Sequence, residues 1–180
     1  MIEARQKWES RHESAELAKP SPFLQDVLAA LPNGRCLDVA CGLGANAELM
    51  LRSGFEVEAV DWSVTALRRF RDRLRAQQLE AKLVAADVRS FRFPESRYDV
   101  ILCFRFLERG LWRAMSDALR PDGVVVLETV TTAFLTQKPE FPKEYCLLPG
   151  ELMRGFAGLE ISRYQESPET GLASLVARKA

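Results

Sequence analysis

The chain has 180 residues, 47% hydrophobic and 28% charged, a composition that excludes disorder and fibrous repeats and suffices for the core of roughly one domain. Twenty-five Lys and Arg balance twenty-five Asp and Glu, so no net field draws the protein to nucleic acid or to an anionic membrane. Cys36, Cys41, Cys103 and Cys146 show no CxxC pair and no metal-ligand spacing, which points to reduced thiols and argues against a disulfide framework or a metal site.

The N-terminal stretch MIEARQKWESRHESAEL alternates acids and bases, unlike a secretory or transit peptide. The longest apolar runs, Val27 to Leu31 and Val100 to Phe104, hold five residues each, against the ~18 needed to span a bilayer. A soluble, cytoplasmic protein with no membrane and no nucleic-acid partner is the expectation. Residues 1–22 are read as an N-terminal arm covering the active site, and 23–180 as a single domain.

Ser21 and Pro22 supply an N-cap and a first helical residue, so a short helix is predicted through Phe23 to Leu31. Pro32-Asn33-Gly34 ends it, and Arg35 to Ala40 reads as a strand buried on both faces. After Gly42-Leu43-Gly44 a helix is expected from Ala45 to Leu51. The cycle repeats with a strand at Glu56 to Val60, a cap at Ser63 and a helix from Val64 to about Gln78. Further strands are expected at Ala81 to Ala86 and Tyr98 to Phe104. A helix follows at Leu111 to Leu119, then a Pro121-Asp122-Gly123 turn and a strand at Val124 to Thr129. A short helix at Gly150 to Phe156 and an antiparallel hairpin, Leu159 to Glu166 with Leu172 to Arg178, complete the chain. This alternation predicts an α/β fold: a doubly wound, mostly parallel seven-stranded sheet with a C-terminal antiparallel hairpin and helices on both faces.

In open α/β sheets ligands bind beyond the carboxyl ends of the strands. The first such loop, Asp38-Val39-Ala40-Cys41-Gly42-Leu43-Gly44, lets the backbone approach a ligand closely and opens a helix. Alone it is also compatible with a tight turn that binds nothing. Asp61, seventeen positions beyond Gly44, ends the second strand where a carboxylate can accept from both ribose hydroxyls. Asp87 ends the third, placed to accept from the adenine amine with the Val88 N–H donating to the ring. Two nucleotide ligands compete: a dinucleotide such as NAD and S-adenosylmethionine. Asp38 at the loop mouth repels a pyrophosphate and complements a sulfonium and an ammonium, unless it points into the core against a backbone group.

In order and spacing LDVACGLGANA, AVDWS, AADV and YDVILCF resemble the class I (Rossmann-like) S-adenosylmethionine-dependent methyltransferases over residues 23–178. The resemblance implies S-adenosyl-L-methionine as cofactor. Asp38, Ala40, Cys41, Gly42 and Gly44 would hold its methionine part, Asp61 the ribose, Trp62 the adenine face, and Asp87 with Val88 the adenine edge. Cys103 would lie in the loop beside the methyl group. Ala40 departs from the glycine usual there. A narrower likeness, carried by Lys7 to His12 and by Leu148-Pro149-Gly150-Glu151-Leu152 before Phe156 to Leu159, is to small tellurite-resistance and thiol methyltransferases, which act on small molecules under an N-terminal arm.

The expected reaction is in-line methyl transfer to a small-molecule acceptor, a thiol, a chalcogen oxyanion or another small nucleophile, with proximity and desolvation supplying much of the barrier reduction. No obligatory triad is expected; His12 and Arg105 are the candidates for a catalytic role. Cys103-Phe104-Arg105-Phe106 replaces the Asn/Asp-Pro-Pro-aromatic pattern of many amine methyltransferases, which argues against a nucleobase amine. Arg105 and Arg109 follow the fourth strand, where a guanidinium can hold an anionic substrate. Trp8 and Tyr145 are candidate lid residues. The run Arg68, Arg69, Arg71, Arg73, Arg75 is read as a solvated helix face. An NAD-binding oxidoreductase and a non-catalytic nucleotide-binding module stand as the alternatives.

Overall fold

In the computed structural model, described here for residues 9–180, a seven-stranded sheet has the order β3-β2-β1-β4-β5-β7-β6. The chain divides between Arg92 and Phe93 into two compact units. The expected fold, doubly wound with an antiparallel hairpin at the C-terminal end, is the one observed.

The first unit opens with helix α1 (9–14) and α2 (Pro22–Val27). Ser21 caps α2 as expected, its Oγ accepting from the Phe23 N–H at 3.1 Å, but α2 gives way to a 3-10 turn at Leu28–Ala30. Strand β1 (Arg35–Val39) pairs in parallel with β2 (Glu56–Asp61), which pairs in parallel with β3 (Lys82–Ala85). Helix α3 (Ala45–Arg52) follows β1, and α4 (Val64–Ala76) follows β2. Helix α4 turns Ala66, Leu67, Phe70 and Leu74 inward at the 3–4 residue spacing that buries one stripe of a helix.

The second unit holds β4 (Tyr98–Phe104), α5 (Trp112–Ala118), β5 (Leu119–Val130), α6 (Glu151–Gly155), β6 (Glu160–Ser167) and β7 (Leu172–Arg178). Strands β4 and β5 are parallel, whereas β7 pairs antiparallel with both β5 and β6. One expectation is corrected: Pro121-Asp122-Gly123 lies inside β5 as an irregularity. Asp122 takes a left-handed φ of +63° and donates its N–H to the Lys179 carbonyl, and Lys179 donates back to Gly123 at the same 2.9 Å. The terminal pairing therefore carries the strand past its turn residues. Valines and leucines of β5 and β7 fill the core of this unit, Val125, Val126, Leu127 and Leu175 among them.

Candidate functional site

The loop after β1 is built from left-handed residues. Ala40 has φ +57°, Gly42 +53° and Gly44 +77°. The position where the resembled family uses glycine thus needs a glycine-like backbone, which Ala40 adopts at a steric cost. Gly44 has a second constraint: a Cβ there would stand 2.4 Å from the Phe70 ring. Its carbonyl accepts from Glu48 and its N–H donates to Cys41, which makes it the N-cap of α3.

Asp61 ties this loop to the end of β2. Its Oδ2 accepts from the Gly42 N–H and its Oδ1 from the Ser63 N–H, both at 2.8 Å. Burial pushes the Asp61 carboxyl up, and those two amides oppose the push. Asp38 is also buried, on β1, where its carboxylate accepts from the Ala47 amide in the first turn of α3. Burial, reinforced by the charge of Asp61, raises the Asp38 carboxyl to about 8. Asp38 thus takes the inward, backbone-paired position that the sequence left open, and at neutral pH it is held mostly as the acid. Burial likewise pushes the Cys41 thiol well up, with Asp38 and Asp61 adding to the effect, so Cys41 is no nucleophile here.

Asp87 lies beyond β3, whose last residue, Ala85, pairs with Asp61. Arg89 bonds both of its oxygens, through Nη2 at 2.7 Å and Nε at 3.0 Å, and this pairing first of all holds the Asp87 carboxyl below its usual range. The same guanidinium stands 6.0 Å from the ring centre of Trp62. Val88 is buried between them in sequence.

Helix α1 packs on this unit through groups that the sequence reading left aside. Glu9 accepts from the amides of Val64 and Thr65 at 2.9 and 3.1 Å and from the Ser63 hydroxyl at 2.9 Å, so it caps α4 from a distant part of the chain. Burial raises the Glu9 carboxyl, but bonds from Thr65, Ser63 and the two amides outweigh it and bring the group down to about 2. Arg69 donates to the carbonyls of His12 and, at 2.8 Å, of Ala15, closing the other end of α1. The imidazole of His12 then reaches the glycine loop: its Nε2 is 3.7 Å from where a Cβ on Gly42 would sit. Burial lowers its pKa, and the Asp61 charge opposes that shift. The reading of the arginine run as a solvated face is corrected at two positions: Arg69 serves α1, and Arg73 bonds Glu48 at 2.7 Å and the Leu43 carbonyl. Trp8 lies outside the described residues.

In the second unit, Cys103 is buried with Sγ 3.7 Å from the Phe106 carbonyl. Arg105 follows β4 with a left-handed φ of +57° and donates its N–H to the Glu128 carbonyl at 2.8 Å. Arg109, expected to hold substrate, instead pins the 144–151 segment. It bonds both oxygens of Glu151 and the carbonyls of Glu144 and Cys146, a set that occupies its fork within the fold. Tyr145 is half exposed and packs edge-on against Phe141. Among the described residues no group of His, Cys, Asp and Glu is arranged to hold a metal, and no helix is long and apolar enough to cross a membrane.

Residues 36–123, the loop after β1 and strand β2 included, match the methyltransferase domain family. Across that stretch the chain matches a class I methyltransferase domain. S-Adenosylmethionine is the cofactor of that class, and the strand order is that of its fold. The domain is similar to a ubiquinone biosynthesis O-methyltransferase of Alkalilimnicola ehrlichii, 30% identical over 135 residues that make up 68% of this chain and 54% of the relative. The chain thus spans about half the length of the curated relatives it matches. Among solved structures it superposes on TehB from Haemophilus influenzae with a TM-score of 0.77 at 16% identity, covering 98% of this chain and 67% of that one. A methyltransferase dependent on S-adenosylmethionine from Clostridium acetobutylicum gives 0.74 at 15%, covering 100% and 95%.

Two features of this methyltransferase domain escaped the sequence reading. Glu9 is separated from the helix it caps by more than fifty residues, so no local spacing signals it. Glu128 sits in the apolar run VVVLETV as its one charge, a signal that could have been read: a carboxylate in a buried strand needs a partner.

Proposed function

We propose that the protein transfers a methyl group from S-adenosylmethionine to a small-molecule acceptor, with the loop of Ala40 to Gly44 and Asp61 as the cofactor's anchor and the arm as its cover. The observation that carries this reading is the joint made by Gly42 and Asp61, which sets a carboxylate beside the left-handed loop at the end of β2. Two of that carboxylate's lone-pair directions are taken by amides, and two remain to accept from ribose hydroxyls. Asp38 suits the cationic end: a sulfonium and an ammonium nearby favour its ionised form, whereas a diphosphate would raise its pKa further. Trp62, Asp87 and Val88 would take the adenine, with Arg89 leaving Asp87 or turning aside as the base enters.

The cofactor supplies an electrophilic methyl carbon on a leaving group already activated by its charge. The chain's part is then to bind, orient and exclude water. Asp61 and the loop amides would fix the adenosine, and Glu9 and Arg69 hold α1 so that His12 closes over Gly42 and helps to exclude water from the methyl group that the cofactor would supply. An acceptor that is already a thiolate or an oxyanion has no proton to lose. The relatives' naming as O-methyltransferases supports an oxygen nucleophile alongside a thiol or a chalcogen oxyanion. Calorimetric titration tests the reading. Binding of S-adenosylhomocysteine, not displaced by NAD, together with methyl transfer to a panel of small thiols and phenols that Asp61→Ala abolishes, is the expected result. Absence of cofactor binding overturns it.

A further inference from the structure

The second unit contains a buried charge that this mechanism does not use. Glu128 lies at the carboxyl end of parallel β5, opposite Phe104 of β4, with its side chain only 7% exposed. Ligands of α/β sheets bind at that end. On its other side Glu128 faces Ser174 of antiparallel β7, whose hydroxyl donates to Oε2 at 2.9 Å. Its other oxygen stands 3.9 Å from Nη2 of Arg105, a side chain 56% exposed. The backbone of Arg105 is meanwhile bent into the left-handed region and tethered to the Glu128 carbonyl. Non-glycine residues persist there only where surrounding structure imposes the conformation, and such sites cluster at ligand clamps. A single residue, Glu128, therefore tethers the Arg105 backbone and stands within ion-pair range of its head.

We propose that Glu128 is a positioning residue that aims Arg105 as the anchor for a carboxylate on the methyl acceptor, making the acceptor a small organic acid. This rests on the methyltransferase reading above. A guanidinium presents a planar fork matched to a carboxylate, and one edge turned to Glu128 leaves the other for a ligand. Phe104 and Phe106, both half-buried on either side of Arg105 in sequence, favour an aromatic ring behind that carboxylate. Arg109 cannot share the task, because Glu151 and two carbonyls hold it.

The test is titration of the full chain with benzoate and with benzamide, each with and without saturating S-adenosylhomocysteine, followed by NMR. Benzoate is expected to bind at least tenfold more tightly than benzamide. Arg105→Ala should remove that preference and Arg105→Lys should restore part of it. Glu128→Gln separates two roles: if it only offsets the charge of Arg105, its neutralisation tightens benzoate binding; if it positions Arg105, binding weakens several-fold, which is the expected result. Equal binding of benzoate and benzamide, an unaffected Arg105→Ala variant, or tighter binding by Glu128→Gln overturns the proposal. Melting temperatures of the variants show whether Glu128→Gln has unfolded, in which case the Arg105 pair alone decides. S-Adenosylhomocysteine affinity, unchanged across these variants, reports separately on the cofactor reading: its absence sinks that reading whatever benzoate does.

Discussion

Gly42 donates its backbone N–H to Asp61 Oδ2 at 2.8 Å, across the gap between the loop after β1 and the end of β2. One carboxylate thus shapes the glycine loop through its bonds to the Gly42 and Ser63 amides. Asp61→Asn retains the volume but puts an NH2 group where an amide now finds an acceptor. It should cost about 1–3 kcal/mol of stability through the unsatisfied amide. S-Adenosylhomocysteine affinity should fall at least tenfold, measured by calorimetry beside a thermal melt. Loss of affinity without loss of stability would mean that the joint with Gly42 is incidental.

On the proposed function, Asp38 is expected to make cofactor binding depend on pH. Its carboxyl is raised to about 8 by burial and by Asp61, so the folded, ligand-free chain carries a proton there that the unfolded chain, with an ordinary Asp, has lost above pH 4. Stability from this group is full below about pH 4 and is lost as pH rises toward 8. Binding a cation reverses the preference. S-Adenosylmethionine affinity should therefore rise up to tenfold per pH unit between 6 and 8 and then level off, with a proton released at pH 7. Calorimetry in two buffers of different ionisation enthalpy measures that proton, and Asp38→Asn should abolish it.

Glu9 has the opposite sign. Its hydrogen bonds bring it to about 2, below the ordinary 4.5, so its support for the arm is present above pH 4.5 and drains away as pH falls toward 2. Glu9→Ala leaves the Val64 and Thr65 amides without this acceptor and should cost about 0.5–2 kcal/mol, as other helix caps do. Amide exchange at residues 10–15 should quicken in the variant at neutral pH, and in the wild type only in acid. Unchanged exchange would show that Arg69 alone holds α1.

Two of the loop's three left-handed positions should respond in opposite directions. Gly44→Ala pushes a Cβ into Phe70 as well as straining the backbone, for a loss of about 2–5 kcal/mol. Ala40→Gly relieves strain of about 1–2 kcal/mol, less about 0.4–1 kcal/mol for the freer unfolded chain. A net gain near 0.5–1 kcal/mol should appear as a higher urea midpoint. A destabilised Ala40→Gly variant would show that the alanine methyl packs better than the strain costs.

The strands, their order of appearance and the caps at Ser21 and Ser63 were legible because each rests on neighbours in sequence: an apolar run, a breaker, a hydroxyl before a helix. The loop and its two acids were legible for the same reason. What stayed hidden was long-range. Arg69 and Arg73 look like their solvated neighbours on a helical wheel, and only the carbonyls of His12, Ala15 and Leu43 distinguish them. Arg109 carries the residue type of an anion holder, but Glu151, forty-two positions away, uses it as a strut. The ionisation of Asp38 is not legible in the sequence, because burial decides it.

Strand β7 is inserted between β5 and β6, although it is the last of the seven to be synthesised. Until Leu172–Arg178 leaves the ribosome, the edge of β5 from Val124 to Val130 stays open, with its valines exposed and ready to pair with another chain. A translation pause shortly before residue 172 should thus be the most hazardous moment in the biogenesis of this chain, and chaperones that shield nascent β edges should matter more to its yield than to that of proteins whose final strand lies at a sheet border.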